Sequence, residues 1–399
     1  MATSNPAGEA QSGTPNSTVG LAEIAWAFLK LGTVAFGGPA AHIALMEEEF
    51  VRRRQWLTHQ EFLDRLGAAN LIPGPSSTEM AIYIGYTKRG WPGLIVAGSC
   101  FIIPAAILVT AIAAAYVRYG HLPRVGGVLY GVKPVVVAVI VQAFWKLARS
   151  AVKSVWLTAI GLMAAVLCAI EVNNLLVLVL AAALAAIPIF WSTVRQRGLA
   201  ALLPAGAVKW KLTAWLVGAG AGAAVVPFSM SRLFLTFLKI GSVLFGSGYV
   251  LLAFLRSDFV VRLHWLTEQQ LLDSVAVGQV TPGPVFTTAT FIGYLLGGVP
   301  GAAVATVAIF LPGFLLVAAS GRFIPKIRSS AIAGAMLDGV IVGSLALIGV
   351  VTWQLGRAAL IDPLTYAIAI ASVVLLLWKR VNAVWLIAAA AVAGMLHGV

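Results

Sequence analysis

The sequence predicts an all-α polytopic membrane protein made of two homologous halves arranged as inverted repeats. Three observations carry this. Apolar stretches long enough to cross a bilayer recur along the 399 residues, an internal repeat relates the two halves, and the same Pro-Gly-Pro break interrupts both. Each half is expected to hold a broken first helix and a PGP-hinged re-entrant hairpin.

The apolar content comes first. The chain is 60% hydrophobic and 10% charged, with a mean hydropathy of +0.95, more apolar surface than a soluble domain can bury. The net charge of +13 does not point to nucleic acid, because Lys and Arg fall in short clusters between apolar runs, such as Arg52-Arg53-Arg54 and Lys379-Arg380. Cytoplasmic loops of membrane proteins carry such clusters. Residues 1–20 are polar and rich in Gly, Ser, Pro and Thr, without the basic start and small-residue cleavage site of a secretory signal. They read as a disordered tail. Cys100 and Cys168 stand alone in apolar runs, as small core residues, so no disulfide framework or thiol motif is expected.

The repeat is explicit. A shift of 209 places FLKLGTVAFGG (28–38) on FLKIGSVLFGS (237–247), WLTHQEFLD (56–64) on WLTEQQLLD (265–273), and Pro73-Gly74-Pro75 on Pro282-Gly283-Pro284. Of the 48 positions aligned from 28–75 to 237–284, 20 are identical, far above chance, so the halves share an origin. Beyond the PGP the shift becomes 208 and matches IGY at 84–86 with IGY at 292–294, and Pro104 with Pro312.

Apolar helical segments are expected near 21–45, 92–118, 125–148, 153–170 and 174–191, and again near 229–252, 299–320, 331–356, 363–378 and 381–397. Asp362-Pro363 reads as an N-cap followed by a helix-starting proline. The stretches 57–90 and 266–298 differ. Each is two short helical pieces hinged at PGP, too short to span and tolerated at depth only where protein or a watery cavity satisfies the broken backbone. Gly37-Gly38-Pro39 breaks the first helix, echoed by Gly246-Ser247-Gly248. Five crossings per half would invert the second half; an apolar run at 212–227 would restore parallel orientation if it also spans. The chain thus divides into a tail (1–20), an N-terminal repeat (21–192), a basic linker with a short apolar segment (193–228) and a C-terminal repeat (229–399).

Inverted repeats with broken helices are a transporter architecture that holds substrate near the midplane at half-helix ends. After Pro75 the chain resumes as Ser76-Ser77-Thr78-Glu79, and after Pro284 as Val285-Phe286-Thr287-Thr288. Free N–H groups, a positive dipole end and hydroxyl donors suit an oxyanion; a plain kink with ordinary helix caps is the alternative. Lys30 and Lys239 are repeat-equivalent intramembrane cations, which either face a dianion or snorkel to an interface. Glu79 has no acidic counterpart in the second half. It is either a proton-coupling carboxylate or the closing member of a Ser76–Glu79 capping box. His42, just past the first glycine break, is a second coupling candidate. Asp64 and Asp273 are expected in structural ion pairs with Arg65, Arg53 or Arg262, and Trp56 and Trp265 as interfacial anchors. The five histidines show no ligand spacing, so no metal is expected; no nucleotide or hydrolase motif appears, so neither cofactor nor enzymatic activity is expected and energy would come from an ion gradient.

These motifs together, FLKLGTVAFGGPAAHI with WLTHQEFLDRLGAANLIPGPSSTEMAIYIGY and their second-half copies, resemble the paired domains of the chromate ion transporter family over roughly residues 20–120 and 229–325. The resemblance implies a bacterial plasma-membrane efflux protein for chromate, with sulfate as a related anion, seated in the lipid bilayer; a homodimer is compatible with it. It carries family motif positions onto Gly37, Gly38, Pro39 and His42, onto Pro73, Gly74 and Pro75, onto Gly246 and Gly248, and onto Gln279, Pro282, Gly283 and Pro284. Ser247 departs from the family's glycine. Uptake of sulfate or another oxyanion, or passive anion conduction, stands as the alternative, and a membrane-embedded chromate reductase lacks any cofactor motif.

Overall fold

The computed structural model describes residues 19–120, 122–196, 227–245, 248–328, 330–379 and 381–397, and contains helices and no strand among them. The tail up to residue 18, most of the linker, and the run 212–227 up to residue 226 lie outside the described residues, as do Gly246 and Ser247.

Helix α1 (Leu21–Val34) stops at an extended Ala35, and α2 (Gly38–Glu47) restarts with proline in its first turn. Gly37 and Gly38 between them take φ of +103° and +78°, a region closed to most side chains. One wide i→i+5 turn, Glu48–Arg53, leads into α3 (His59–Ala69), which is started by a Thr58–Glu61 capping box. The Pro73-Gly74-Pro75 hinge follows. Helix α4 (Ser76–Tyr119) is then two helices, because Arg89 and Gly90 leave helical geometry and 76–88 folds back onto 91–119. Their backbones touch: a Cβ on Gly85 would lie 2.2 Å from the Gly93 oxygen, and one on Gly93 2.1 Å from the Gly85 oxygen.

Helices α5 (Pro123–Ala151), α6 (Val155–Ala169) and α7 (Asn174–Gln196) complete the first half. The second half repeats the order. It runs α8 (Met230–Val243), α9 (Val250–Leu255), a wide turn Arg256–Arg262, α10 (Glu268–Val280), a tight turn Val285–Thr287 and α11 (Thr288–Arg328). Helices α12 (Ala331–Ala359), α13 (Pro363–Leu377) and α14 (Ala383–His397) follow. Gly297-Gly298 folds α11 as Arg89-Gly90 folds α4, with Gly293 and Gly301 in the same backbone contact. Observed ends agree with the expected apolar segments to within about five residues, except that α11 runs to Arg328, eight residues past the expected end, and the first helix of each half divides at its break. By length and composition, segments in α4, α5, α7, α11 and α12 can cross a bilayer; α6, α13 and α14, at fifteen residues each, reach about 22 Å.

The packing fixes the inversion. Gly98, near the start of the long arm 91–119, sits on the Phe314 ring midway along the arm 299–328, and Tyr83 of the short helix 76–88 bonds Ser320 further along that arm. At the other end, Tyr116 packs edge-on to Phe291, whose neighbour Thr290 bonds Thr306 near the start of the second arm. Corresponding helices therefore run antiparallel, the mark of an inverted repeat. The halves also clasp each other: Gly131 of α5 lies against Ala390 of α14, and the equivalent Gly339 of α12 lies against Ala181 of α7. Small residues allow such close helix approach. Large apolar side chains such as Trp26, Ile107, Ile370 and Trp378 face outward, as a lipid-facing surface requires. Trp56 does not act as the expected anchor. It is buried, stacked on Phe50 at 4.9 Å with Arg54 over its ring, because the wide turn folds back across it.

Candidate functional site

The two hinges are exchanged between halves. Gly74 donates its N–H to the Leu244 carbonyl at 2.6 Å, and Gly283 donates to the Ala35 carbonyl at 2.9 Å. Ala35 and Leu244 are repeat equivalents, each the residue that ends a broken first helix. Breaking a helix frees a carbonyl, and inserting glycine between two prolines leaves one donor, so each half supplies what the other lacks. Gly74 and Gly283 take φ of +137° and +86°, which explains why the middle residue is glycine in both. Pro73 and Pro75, and Pro282 and Pro284, hold the chain extended on either side, and the whole second hinge is buried.

Beyond each hinge a half-helix begins. Among the described residues no acceptor meets the N–H of Ser76 or Ser77, or of Val285 or Phe286, whereas Pro75 and Pro284 carbonyls take the N–H groups that follow. Their hydroxyls differ. Thr287 and Thr288 donate back to the Pro284 and Val285 carbonyls, so they are committed to their own turn. Thr78 Oγ1 is buried and unpartnered, Ser77 is buried, and Ser76 is partly exposed.

His42 is buried and joins the two hinges. Its Nε2 stands 3.1 Å from the Ala35 carbonyl, the acceptor that also serves Gly283, and its Nδ1 stands 3.3 Å from Ser77 Oγ. A carbonyl can only accept, so Nε2 donates to it, and in the neutral ring Nδ1 then accepts from the Ser77 hydroxyl. Glu79 does not form the capping box; Pro75 is the N-cap and no side chain caps the helix. Both Glu79 oxygens are buried and without a partner. The carboxyl occupies space left by two glycines, since a Cβ on Gly74 would lie 2.2 Å from Oε1 and one on Gly313 3.9 Å from it. It thus sits between the first hinge and α11 of the opposite half.

The lysines stand apart from this seam. Lys239 is held by Asp258, with 2.5 Å to Oδ2, and Arg262 takes the same carboxylate at 3.0 Å; Lys30 is exposed. Asp258 is the repeat equivalent of Glu49, which binds Arg53 and Arg54. Asp273 does not pair with Arg262 as expected. It is buried between Lys133 at 3.0 Å and the Tyr116 hydroxyl at 2.8 Å, because α5 crosses α10 there. A lysine in the middle of the apolar run 125–148 is the sequence signal for Lys133; its partner lies 140 residues on and has no local signature. No His, Cys, Asp and Glu cluster able to hold a metal occurs among the described residues.

Gly37 of the first break and Gln279, three residues before the second hinge, line one cavity of about 860 Å³ together with Tyr249, which hydrogen-bonds Gln279. Pro39 opens α2 beside it, and Gly248 packs near the Phe286 ring.

The comparisons with known proteins follow the same division. A family model described as "Chromate transporter" matches twice, over residues 22–187 and 231–395. A chromate transport protein of Cupriavidus metallidurans is 33% identical over 390 residues, covering 95% of this chain and 93% of its own. A probable chromate transport protein of Synechococcus elongatus is 32% identical, covering 92% and 93%, and a chromate transport protein of Pseudomonas aeruginosa 30%, covering 92% and 90%. No solved structure matches the chain. The two model matches coincide with the two halves that exchange their hinges, and the relatives align across both: the chain belongs to the chromate transporter family.

Proposed function

We propose that this protein is a secondary active transporter that exports chromate across the bacterial inner membrane, with sulfate, a tetrahedral dianion of similar size, as a related substrate. The observation that carries the reading is the reciprocal hinge, Gly74 to Leu244 and Gly283 to Ala35, which sets two half-helix N-termini against one seam between inverted halves. Unpaired N–H groups at Ser76, Ser77, Val285 and Phe286, at the positive ends of two helices, suit a dianion without a fixed positive charge. The relatives named as chromate transport proteins supply the substrate.

Inversion supports alternating access, in which one half rocks against the other and opens the seam to each side in turn. Glu79 is the coupling group in this reading. A buried carboxyl among apolar atoms is costly as the charged carboxylate unless a donor meets it, so taking up or releasing its proton is tied to what occupies the seam. His42 relays between the hinges, since it touches Ser77 of one and shares Ala35 with the other.

The test is transport into everted inner-membrane vesicles containing the protein, with labelled chromate and competing sulfate. Accumulation that requires energisation, and that sulfate reduces, is the expected result. Equilibration without energy would identify a channel, and energised accumulation in right-side-out vesicles instead would identify an uptake carrier.

A further inference from the structure

The cavity at Gly37 and Gln279 has a charged rim. Lys146 and Arg149 line it from the last turns of α5, and both are exposed. Neither has a carboxylate partner among the described residues, and the Arg149 guanidinium lies over the Trp145 ring at 5.0 Å, which restricts where it points. The rest of the polar lining is neutral and includes Gln142, Tyr249, Gln279 and Asn382. The Gln279 amide nitrogen is a covered donor without a partner. Cations near a helix C-terminus are ordinary complements of its dipole. Two of them, unpaired, line an 860 Å³ cavity that also holds a covered unmatched donor and touches the Gly37 break, so charge attraction and hydrogen bonding are offered in one cavity.

We propose that this cavity is the vestibule that captures the oxyanion, with Lys146 and Arg149 drawing a dianion in and Gln142, Tyr249 and Gln279 replacing part of its water before it reaches the Gly37 break. The inference rests on the anion-transport reading above and adds the path of entry. Converging positive charge over low-dielectric walls raises local anion concentration and the capture rate. The neutral polar groups beside the charges offer a free oxyanion the hydrogen bonds it needs in place of water, and vesicle composition separates it from a lipid phosphate.

The experiment uses the purified full chain in liposomes, with initial rates of chromate transport at low and high ionic strength. Lys146→Gln with Arg149→Gln should raise KM about tenfold and change the maximal rate less than twofold, as expected for lost electrostatic capture. The salt dependence of KM seen in the unaltered protein should flatten, and the conservative pair Lys146→Arg with Arg149→Lys should restore it. Arg52→Gln with Arg118→Gln, which removes two charges elsewhere, should leave KM unaltered. An unchanged KM in the vestibule pair, with the unaltered protein transporting normally, overturns the vestibule. Absence of chromate transport by the unaltered protein overturns the transport reading itself. A KM change seen in liposomes containing phosphatidylglycerol and absent in pure phosphatidylcholine assigns the charges to lipid and also overturns the vestibule.

Discussion

The two halves share a skeleton and differ in their polar groups. Both break the first helix, both fold a long helix back at a glycine, and both hand a glycine N–H to the other's broken end. The first half then places His42, Ser77, Thr78 and Glu79 at its hinge, buried and partly unsatisfied. Where they fall, the second half has Leu251 in place of His42 and two threonines already bonded to their own turn. The lesson is that symmetry builds the seam while the polar groups set against it differ. A repeated backbone device is closed on itself in one copy and leaves unsatisfied polar groups in the other.

The comparison can be broken first at the hinges. Gly283→Ala places a Cβ 2.7 Å from that of Ala105 in a left-handed conformation, and should lower stability by about 3 kcal/mol. Gly74→Ala meets the tip of the Glu79 side chain, which can swing, and should cost less; thermal unfolding in detergent compares them. Equal losses would mean the hinges are not differently packed. Next is Glu79→Gln, which keeps volume and removes the ionisable group. Energised chromate accumulation should fall on the order of a hundredfold, as for loss of a proton-transfer group, without loss of stability.

A smaller contrast lies between the lysines. Lys239→Met leaves the buried Asp258 with Arg262 alone and should cost about 2 kcal/mol, whereas Lys30→Met, at an exposed site, should cost under about 0.5 kcal/mol. If both variants instead abolish transport at unchanged stability, the lysines hold the anion. His42→Leu makes the first half resemble the second and should cost about 1 kcal/mol, since Ala35 keeps its bond from Gly283. Transport, not unfolding, should report the larger change. The smallest effect is at Asp362, the N-cap of α13, where the first half has Ser154 as the N-cap of α6. The Tyr130 hydroxyl and the Thr365 N–H hold its carboxyl below the usual carboxylate range. That support is therefore complete above the ordinary carboxylate range and is lost as pH falls through the lowered value. Unfolding of Asp362→Ala at falling pH should lose less stability than the parent does.

Much of the fold was legible because its causes are local. Apolar length sets which segments cross, Gly37-Gly38-Pro39 and the two PGP motifs forbid continuous helix where they stand, and the shift of 209 declares two copies. The folded-back arms at Arg89-Gly90 and Gly297-Gly298 were less visible, since a single left-handed glycine leaves little mark in an apolar run.

What the sequence by itself determined is which unusual groups the chain carries: hinges, hydroxyls, His42 and the unmatched Glu79, all named by local pattern and by comparison of the copies. What only the tertiary structure decided is which groups meet. Gly74 finds Leu244, Gly283 finds Ala35 and Asp273 finds Lys133, each across more than a hundred residues of chain. The antiparallel run of corresponding arms, and the open carboxyl at Glu79 in place of a closed capping box, belong to the same class. The reason is physical: a broken helix announces an unsatisfied backbone group in its own sequence, but the partner that satisfies it is chosen by packing.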